Sequence, residues 1–299
     1  MSRVRYIVNP KANNSDGERI SKFLQNLGLD VRVSSSLENA TQLTREAVNG
    51  GFKIIIAVGG DGVVNAVVNG LAPEFSSFLG IIPVGSGNDF AKGLGYHKFG
   101  TTAYISAYCA SLEQSRVLTV RTVDLIRVDF AGQTVYGTNQ FTFGFSGIVA
   151  HEVAKLQKRT QGVYVRTALR SAWNAAATQI DGYYRGEVFD VYITNGKTLA
   201  GGIKIAPQAD LRDGKIEGLI IPNKARPVRY FLIGLGKLGL IRSRLAKMLG
   251  IRAFQIEDSV SFVTTEKLFA QLDGEPFTLP IGDFKVAVSP RALGVITPE

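Results

Sequence analysis

The chain has 299 residues, of which 45% are hydrophobic and 20% are charged. This length suits two domains with separate cores, and this composition is ordinary for a globular protein and excludes a fibrous or wholly disordered one. The formal net charge of +9 predicts anionic partners, such as a nucleotide, a nucleic acid or an anionic membrane surface.

Cysteine, histidine and apolar runs limit the class further. Cys109 is the single cysteine, so an intramolecular disulfide is excluded and a reducing compartment is expected. With only His97 and His151 present, a histidine-rich metal site is disfavoured. The N-terminus, MSRVRYIVNP, has no apolar signal core, and no apolar run approaches the roughly 20 residues that span a bilayer. We therefore expect a cytoplasmic protein.

Strands and helices alternate through the first part of the chain. The predicted strands are Arg3–Val8, Val31–Val33, Ile54–Val58 and Phe78–Ile82. The predicted helices are Glu18–Leu27, Ala40–Asn49, Val63–Leu71 and Thr102–Leu112. This alternation predicts an α/β domain with a parallel, helix-flanked sheet over residues 1–120.

Two glycine-rich loops follow predicted strands of this sheet. The apolar run Ile54–Val58 leads into Gly59-Gly60-Asp61-Gly62, and the next strand leads into the loop 83–90, PVGSGNDF. Glycines let backbone amides approach an anion closely, and ligands of open α/β sheets bind at the carboxyl ends of the strands. Asp61 would repel a phosphate directly, so it either binds Mg²⁺ or orients the site, unless it is only the cap of a tight turn.

The pattern changes after residue 116 to short alternating strands. The predicted strands are Val123–Phe130, Thr134–Phe143, Glu187–Thr194, Gly202–Ala206, Ile216–Ile221, Ala253–Glu257, Val260–Thr264 and Lys285–Ser289. One helical insertion is predicted near Val163–Thr178. This pattern predicts a mostly antiparallel second domain over residues 121–299, with a boundary near Arg116–Thr122 and with the end of the chain free to pack back on the first domain.

An ordered set of motifs resembles one family. The motifs are Asn9-Pro10, GGDG at 59–62, PVGSGNDFAKGLG at 83–95, VDL at 123–125, TNG at 194–196, IAPQADLRDG at 205–214, LDGEPF at 272–277 and SPRALGVITP near the C-terminus. Together they resemble the catalytic domain of the diacylglycerol kinase family in its bacterial soluble lipid-kinase form, which is related to sphingosine and ceramide kinases and more distantly to NAD kinases.

The resemblance implies a fold and a reaction. It implies an α/β nucleotide-binding domain, a C-terminal β-sandwich and an active site in the cleft between them. It also implies that the γ-phosphate of ATP is transferred, with Mg²⁺, to the hydroxyl of diacylglycerol or a related lipid alcohol. The residues that it marks for nucleotide binding are Asn9, Ser34, Gly59, Gly60, Asp61, Gly62, Asn65, Ser86, Asn88 and Asp89. Two of these have other readings, because Ser34 suits a helix entry and Asp89 suits a cap of a helix starting at Phe90.

The resemblance also implies the catalytic and metal residues. Asp273 would be the general base, Glu275 would lie on the same face of an extended segment, and Asp124 would be a further active-site carboxylate. The alternative for Asp273 is a surface turn, because Asp-Gly and Pro favour turns. A structural Mg²⁺ away from the chemistry would be held at Asp210, Asp213 and Lys215, with a plain turn as the alternative.

The sequence departs from the family pattern in the nucleotide half. The threonine that commonly follows GGDG is Val63, the glutamate three residues further on is Ala66, and the small-Gly pair after Asn9-Pro10 is replaced by Lys11–Asn14. An alternative function is therefore a catalytically impaired lipid- or nucleotide-binding homologue. A further alternative is a kinase of another acceptor, such as a sphingoid base, phosphatidylglycerol or NAD.

A basic segment predicts peripheral contact with a membrane. No acidic residue lies between Glu217 and Glu257, while eight basic residues are mixed there with large apolar ones. We expect a lipid substrate at a membrane surface and anionic phospholipid as partners, since no nucleic-acid-binding motif is present. The alternative is an ordinary amphipathic helix that covers the sandwich. The sequence leaves a homodimer open.

Overall fold

The computed structural model describes residues 3–13, 16–96, 102–114, 119–156, 161–199, 203–237 and 244–297. The chain forms two compact units, which are described separately below. The first unit contains Met1–Val123 and Arg291–Glu299, and the second contains Asp124–Pro290. Within the described ranges, no helix is long and apolar enough to span a membrane.

Strands and helices alternate in the first unit, as the sequence predicts. They are β1 (Val4–Val8), α1 (Asp16–Asn26), β2 (Val31–Val33), α2 (Leu37–Asn49), β3 (Ile54–Gly59), α3 (Asp61–Leu71), β4 (Phe78–Pro83), α4 (Asp89–Gly93) and α5 (Thr102–Glu113). The strand β5 (Thr119–Phe130) then leads into the second unit.

The sheet of the first unit is parallel. Its strands lie in the order β2, β1, β3, β4. The strand β3 is buried along its whole length, as expected of an apolar strand with neighbours on both sides and helices on both faces. The carboxyl ends of β1, β3 and β4 therefore meet at one edge of this sheet.

The second unit is mostly antiparallel. Its further elements are β6 (Gln133–Gly137), β7 (Gln140–Gly144), α6 (Phe145–Ala154), α7 (Gln161–Ser171), β8 (Thr178–Gly182), β9 (Gly186–Thr194), β10 (Thr198–Leu199), β11 (Ile203–Lys204), β12 (Ile216–Pro222), α8 (Arg226–Lys237), α9 (Arg244–Met248), β13 (Arg252–Ile256), β14 (Ser259–Thr264), β15 (Leu268–Leu272), β16 (Glu275–Leu279) and β17 (Gly282–Thr297). The last residues of β17 belong to the first unit, where Val295 pairs in parallel with Leu79.

The strands of the second unit follow the order β16, β15, β7, β9, β8, β14, β17, and β12 and β13 branch from β9. One buried core is rich in phenylalanine, with Phe141, Phe143, Phe262 and Phe284 in contact. A second core includes apolar side chains of α6, α8 and α9 together with those of β9 and β12. This arrangement confirms the predicted α/β unit followed by a β-sandwich.

Several predicted boundaries differ from the structure. The predicted strand Thr134–Phe143 is two strands, β6 and β7, because residues 138 and 139 turn and bind a carboxylate instead of a neighbouring strand. The helix α6 was not predicted, and the predicted helix Val163–Thr178 is α7, which ends at Ser171. Of the predicted strand Gly202–Ala206, only Ile203–Lys204 is a strand, and Gly202 lies outside the described residues.

Candidate active site

The two glycine-rich loops contact each other at the edge of the parallel sheet. A methyl group on Gly85 would overlap the Cα atom of Gly60 and lie 2.7 Å from Asn88 Oδ1. The amides of Val84 and Gly85 both donate to the carbonyl of Gly59, at 2.9 and 3.2 Å. Glycine is therefore required here because the two backbones approach too closely for any side chain.

The helix α3 starts inside the first loop. Gly60 is its N-cap and has no side-chain cap, so the amides of the first turn have no partner within the helix. Such amides, together with the positive end of the helix dipole, form a binding site for an anion. The loop 59–62 therefore has the geometry that a phosphate requires.

Asp61 links the two loops. Its Oδ1 accepts a hydrogen bond from the amide of Phe90 at 3.3 Å, and a methyl group on Gly87 would lie 2.9 Å from its Oδ2. The residue is the first of α3, so the cap reading is wrong for its own helix; its carboxylate instead contacts the start of α4. The second loop thus orients the carboxylate of Asp61.

Asn88 and Asp89 close the second loop. Asn88 has left-handed backbone angles, with φ 52° and ψ 41°, and its Nδ2 donates to the carbonyl of Gly85 at 2.7 Å. Its buried Oδ1 has no hydrogen-bond partner in the described part of the chain. Asn88, and not Asp89, precedes the helix α4, so the reading of Asp89 as a cap of a helix starting at Phe90 is wrong. Ser86 lies in this loop and is exposed.

The other predicted nucleotide residues lie around this edge. Asn9 follows β1, and its Oδ1 accepts from the amide of Lys11 at 3.0 Å. Ser34 is buried, and its hydroxyl donates to the carbonyl of Val8 at 3.0 Å. The helix-entry reading of Ser34 is wrong, because Ser36 is the N-cap of α2 and accepts from Asn39. Asn65 accepts from the side chain of Asn69, one turn further along α3.

The side chains at the two departures in α3 are buried. Val63 is 1% exposed, and a methyl group on Gly59 would lie 2.5 Å from its Cγ1. Ala66 is 5% exposed, and its carbonyl accepts from the hydroxyl of Thr41 on α2. Both side chains therefore belong to the packing of α3.

Asp273 lies in a tight hairpin turn between β15 and β16. Asp273 and Gly274 have φ values of 51° and 90°, which the two-residue hairpin turn with positive φ at both positions requires. The predicted extended segment shared with Glu275 is therefore wrong, since Glu275 is the first residue of β16. The turn is not a surface turn either, because Asp273 is buried.

The carboxylate of Asp273 accepts four hydrogen bonds. Oδ2 accepts from the amide of Thr138 at 2.7 Å and from its hydroxyl at 2.8 Å, while Oδ1 accepts from the amides of Asn139 and Gln140, both at 2.8 Å. The turn between β6 and β7 is thus a nest of donors that fixes the orientation of the carboxylate. Sequence analysis did not identify these donors, because three of them are backbone amides.

Asn195 holds the nest of donors in place. Its Nδ2 donates to the carbonyls of Asp124 and Thr138 at 2.7 and 3.1 Å, and its amide donates to the carbonyl of Asn139 at 2.9 Å. Its motif, TNG, was part of the resemblance, but no role was assigned to it. The structure makes Asn195 a positioning residue that joins the Asp273 nest to Asp124.

The carboxylate of Asp124 is buried and accepts from the amide of Gly214 at 2.7 Å. It therefore lies beside the predicted loop of the structural Mg²⁺. Burial and the negative charges of Asp210 and Asp124 raise the pKa of Asp213, although the amide of Lys215 opposes this by donating to it at 3.0 Å.

The loop fits Mg²⁺ by its chemistry but not as a cage of side chains. Neighbouring carboxylates such as Asp213 and Asp210 are suited to a hard cation, which prefers oxygen ligands. The ammonium of Lys215 is paired with Glu257 at 2.8 Å, so only its backbone carbonyl is suited as a ligand. Within the described ranges, no group of three or more His, Cys, Asp or Glu side chains has the arrangement of a metal site. An ion held at Asp213 would need backbone carbonyls and water as well.

Comparison with known proteins agrees with this architecture. The family model of the diacylglycerol kinase catalytic domain matches residues 3–128, and that of the YegS C-terminal NAD kinase beta sandwich-like domain matches residues 139–297. A relative from Pseudomonas syringae pv. syringae, named "Probable lipid kinase YegS-like", is 30% identical over 93% of this chain and 86% of its own length.

Solved structures give the same result. A structure described as that of "a putative diacylglycerol kinase from Bacillus anthracis" has a TM-score of 0.72 and 25% identity, and the match covers 99% of this chain and 95% of that one. An NAD kinase from Archaeoglobus fulgidus, at 14% identity and a TM-score of 0.50 over 99% of this chain and 93% of that one, shares the fold alone. The two glycine-rich loops and the buried hairpin carboxylate agree with these matches, which show that the chain belongs to the YegS-like lipid kinases of the diacylglycerol kinase family.

Proposed function

We propose that this protein transfers the γ-phosphate of ATP to the hydroxyl of diacylglycerol or a related lipid alcohol. The observation that carries the proposal is the buried Asp273 carboxylate with its four donors. A fully hydrogen-bonded carboxylate in an Asp-Gly hairpin turn is an oriented group, and phosphoryl transfer depends mainly on orientation and charge neutralisation. The name of the similar Bacillus anthracis protein supports diacylglycerol as the acceptor class.

In this proposal the first unit binds the triphosphate. The amides of Gly60–Gly62 at the start of α3 and those of the second loop contact phosphate oxygens. Asp61 and Asp89 would hold the Mg²⁺ that accompanies ATP. This ion neutralises phosphate charge when it is bound. Ser86 and Asn88 shape the second loop, while Asn9 and Ser34 border the nucleotide at the ends of β1 and β2.

Asp273 accepts the proton of the attacking hydroxyl in this proposal. All four donors occupy its lone pairs, so one must give way as the alcohol binds. The hydroxyl of Thr138 is the donor that can rotate, whereas the three backbone amides are fixed. The alcohol would then replace the hydroxyl of Thr138 as a donor to Oδ2. Asn195 would keep the three backbone amides in place. Glu275 and Asp124 are the further active-site carboxylates in this proposal.

The test is transfer of labelled phosphate from Mg-ATP to separate acceptors in mixed micelles. The acceptors are diacylglycerol, monoacylglycerol, sphingosine, ceramide and phosphatidylglycerol, with NAD in solution as a further acceptor. We expect label in the diacylglycerol product, and label in another lipid would correct the acceptor. Label in NAD alone, or ATP binding without transfer to any acceptor, would contradict the proposal.

A further inference from the structure

The positive charge of this protein is concentrated in two segments. Residues 153–180 contain five basic and no acidic side chains, and residues 218–256 contain eight basic and no acidic ones. Removing these 13 from the total of 34 basic residues leaves 21 against 25 acidic residues. The rest of the chain therefore has a net charge of −4, and the two segments alone account for the excess of cations.

The fold brings these two segments together. Arg229 on α8 donates to the carbonyls of Ala172 and Ala175, which follow α7, at 3.2 and 2.6 Å. The guanidinium of Arg226 lies 5.0 Å from the ring centre of Trp173, and that ring lies 6.4 Å from the ring of Tyr230. The helices α7 and α8 thus form one surface with the tryptophan at their junction.

The short helix α9 joins the same surface. It ends at Met248, and a methyl group on Gly250, two residues further on, would lie 3.6 Å from the Nζ of Lys224, just before α8. We call the exposed side of α7, α8 and α9 the basic helical surface. Its described cations are Arg166, Arg170, Arg226, Arg244 and Lys247, all exposed. In the ranges that the structure describes, none of these five forms an ion pair, so their charge is directed to solvent.

Large apolar side chains protrude among these cations. Trp173 is 49% exposed and Met248 is 84% exposed, and Leu169, Phe231 and Leu245 are nearly half exposed. The cations are complementary to an anionic partner. The apolar side chains would stay in water against the phosphate backbone of a nucleic acid, so they would not contribute to binding it. A surface of both kinds matches the boundary between lipid headgroups and acyl chains.

We propose that the basic helical surface docks on an anionic phospholipid bilayer, with the cations against the headgroups and Trp173 and Met248 inserted beneath them. The inference deepens the proposed function, on which it rests, because it names the surface by which a kinase reaches a lipid held in a membrane. It differs from the reading of α8 and α9 as helices that only cover the sandwich, because it requires α7 and its tryptophan.

The first test uses the fluorescence of Trp173, the single tryptophan. With phosphatidylglycerol vesicles and no ATP, we expect its emission to shift to shorter wavelength and to be quenched by brominated acyl chains. Phosphatidylcholine vesicles should leave the emission unchanged, and added salt should reverse the shift. An unshifted emission with vesicle-bound protein would overturn the proposed surface.

The second test is sedimentation with the same vesicles. The triple variant Arg226→Glu, Arg244→Glu and Lys247→Glu should bind about 100-fold more weakly, since each basic residue at such a surface contributes about 1 kcal/mol. The matched control carries Arg45→Glu, Arg121→Glu and Lys267→Glu, three exposed cations elsewhere, and should bind like the wild type. Equal binding by all three proteins, or binding of duplex DNA but not of vesicles, would overturn the inference.

Activity separates this inference from the proposed function. The triple variant should lose phosphorylation of diacylglycerol in vesicles but keep it for a dispersed short-chain diacylglycerol. Loss on both substrates by a folded variant would contradict a docking role. Vesicle binding by a wild-type protein that phosphorylates no acceptor would refute the proposed function and leave the docking surface standing.

Discussion

At the scale of single residues, the candidate nucleotide site depends on a contact between two glycines. Gly60 and Gly85 belong to different loops, and their backbones meet with no room for a side chain. The carbonyl of Gly59 accepts from both residues that follow β4, which fixes the distance between the loops. The site is therefore a property of the pair and of no single motif.

Replacing Gly85 by alanine tests this contact. The added methyl group would collide with Gly60 and Asn88, so the loops must separate and the phosphate-binding amides lose their alignment. We expect kcat/KM for ATP to fall by about 100-fold while the thermal midpoint falls only modestly. Gly162→Ala is the matched control, because a methyl group there has nothing within 4 Å. Unchanged ATP kinetics for Gly85→Ala would show that the loop contact is unimportant.

Single residues at turns could be predicted from the sequence, but their distant hydrogen-bond partners could not. The position of the glycine-rich loops could be predicted from the residues alone, because turn residues at the ends of strands have recognisable patterns, whereas Asp273 was predicted only through its resemblance to a family motif. The partners of Asp273 could not, because backbone amides at residues 138–140 carry no sequence signal and lie more than 130 residues away. Asn195 was visible only as part of a motif, and its role depends on contacts to two distant carbonyls.

At the scale of elements, the helix α3 explains the departures from the family pattern. Val63 packs against Gly59, and Ala66 lies where α3 contacts α2, so both residues contribute to the packing of α3. The same helix packs closely on α2 through Gly70, which meets the side chain of Thr44. The departures therefore suit the packing of α3, and they do not imply impaired catalysis.

Restoring the family residues tests this interpretation. Val63→Thr should leave KM for ATP within about twofold, since the side chain is buried in the packing of α3 and threonine has nearly the same shape as valine. Ala66→Glu should lower the free energy of unfolding by at least about 2 kcal/mol, because a carboxylate would be forced against α2. Chemical denaturation and ATP kinetics of both variants are the measurements. A large gain in kinase activity for either variant would contradict this interpretation and would indicate that residues 63 and 66 act in the nucleotide site.

Strands and helices could be predicted where the hydrophobic period was clear. The prediction failed where a turn that binds a distant side chain interrupts a strand. The strand β3 has a continuous apolar run, and its position agrees with the prediction to within one residue. The strand Thr134–Phe143 had an unbroken pattern in sequence, yet Thr138 and Asn139 leave the sheet to bind Asp273. The helix α6 was missed because its residues are apolar on most sides, with buried positions throughout.

At the scale of the whole molecule, a buried carboxyl makes stability depend on pH. Asp190 is 1% exposed, and its Oδ1 accepts from the amide and hydroxyl of Ser146 at 3.1 and 2.7 Å. Burial raises the pKa of Asp190 to about 7, although the hydrogen bonds from Ser146 oppose the rise. The folded protein therefore binds a proton more tightly here than the unfolded chain does.

The sign of the effect follows from that difference. The stabilising contribution of protonated Asp190 is fully present below about pH 4 and is lost as pH rises towards about 7, by up to about 4 kcal/mol. Asp190→Asn keeps an oxygen for Ser146 and cannot ionise, so we expect it to raise the thermal midpoint most at about pH 8 and least at about pH 5. Thermal unfolding across this range is the measurement. A difference that does not vary with pH, or one matched by exposed Asp258→Asn, would contradict this account.

The two units have different chemistry, and the proposed reaction needs both. The first supplies amides and glycines for the phosphates, and the second supplies the oriented carboxylate of Asp273. The strand pattern was enough to predict an α/β unit followed by a mostly antiparallel one, because parallel and antiparallel sheets differ in their hydrophobic period, while the chemistry of each unit was inferred from the family resemblance. The acceptor was not predictable, since no motif reads a lipid headgroup.

The measurement that tests the central claim most directly is label transfer to diacylglycerol by the wild type and by Asp273→Asn, with both proteins shown to be folded. The account predicts labelled lipid from the wild type and a rate at least about 100-fold lower for Asp273→Asn, which is the usual contribution of a general base. Asp258→Asn, an exposed matched change, should be as active as the wild type. Equal transfer by wild type and Asp273→Asn, or none by either, would contradict it.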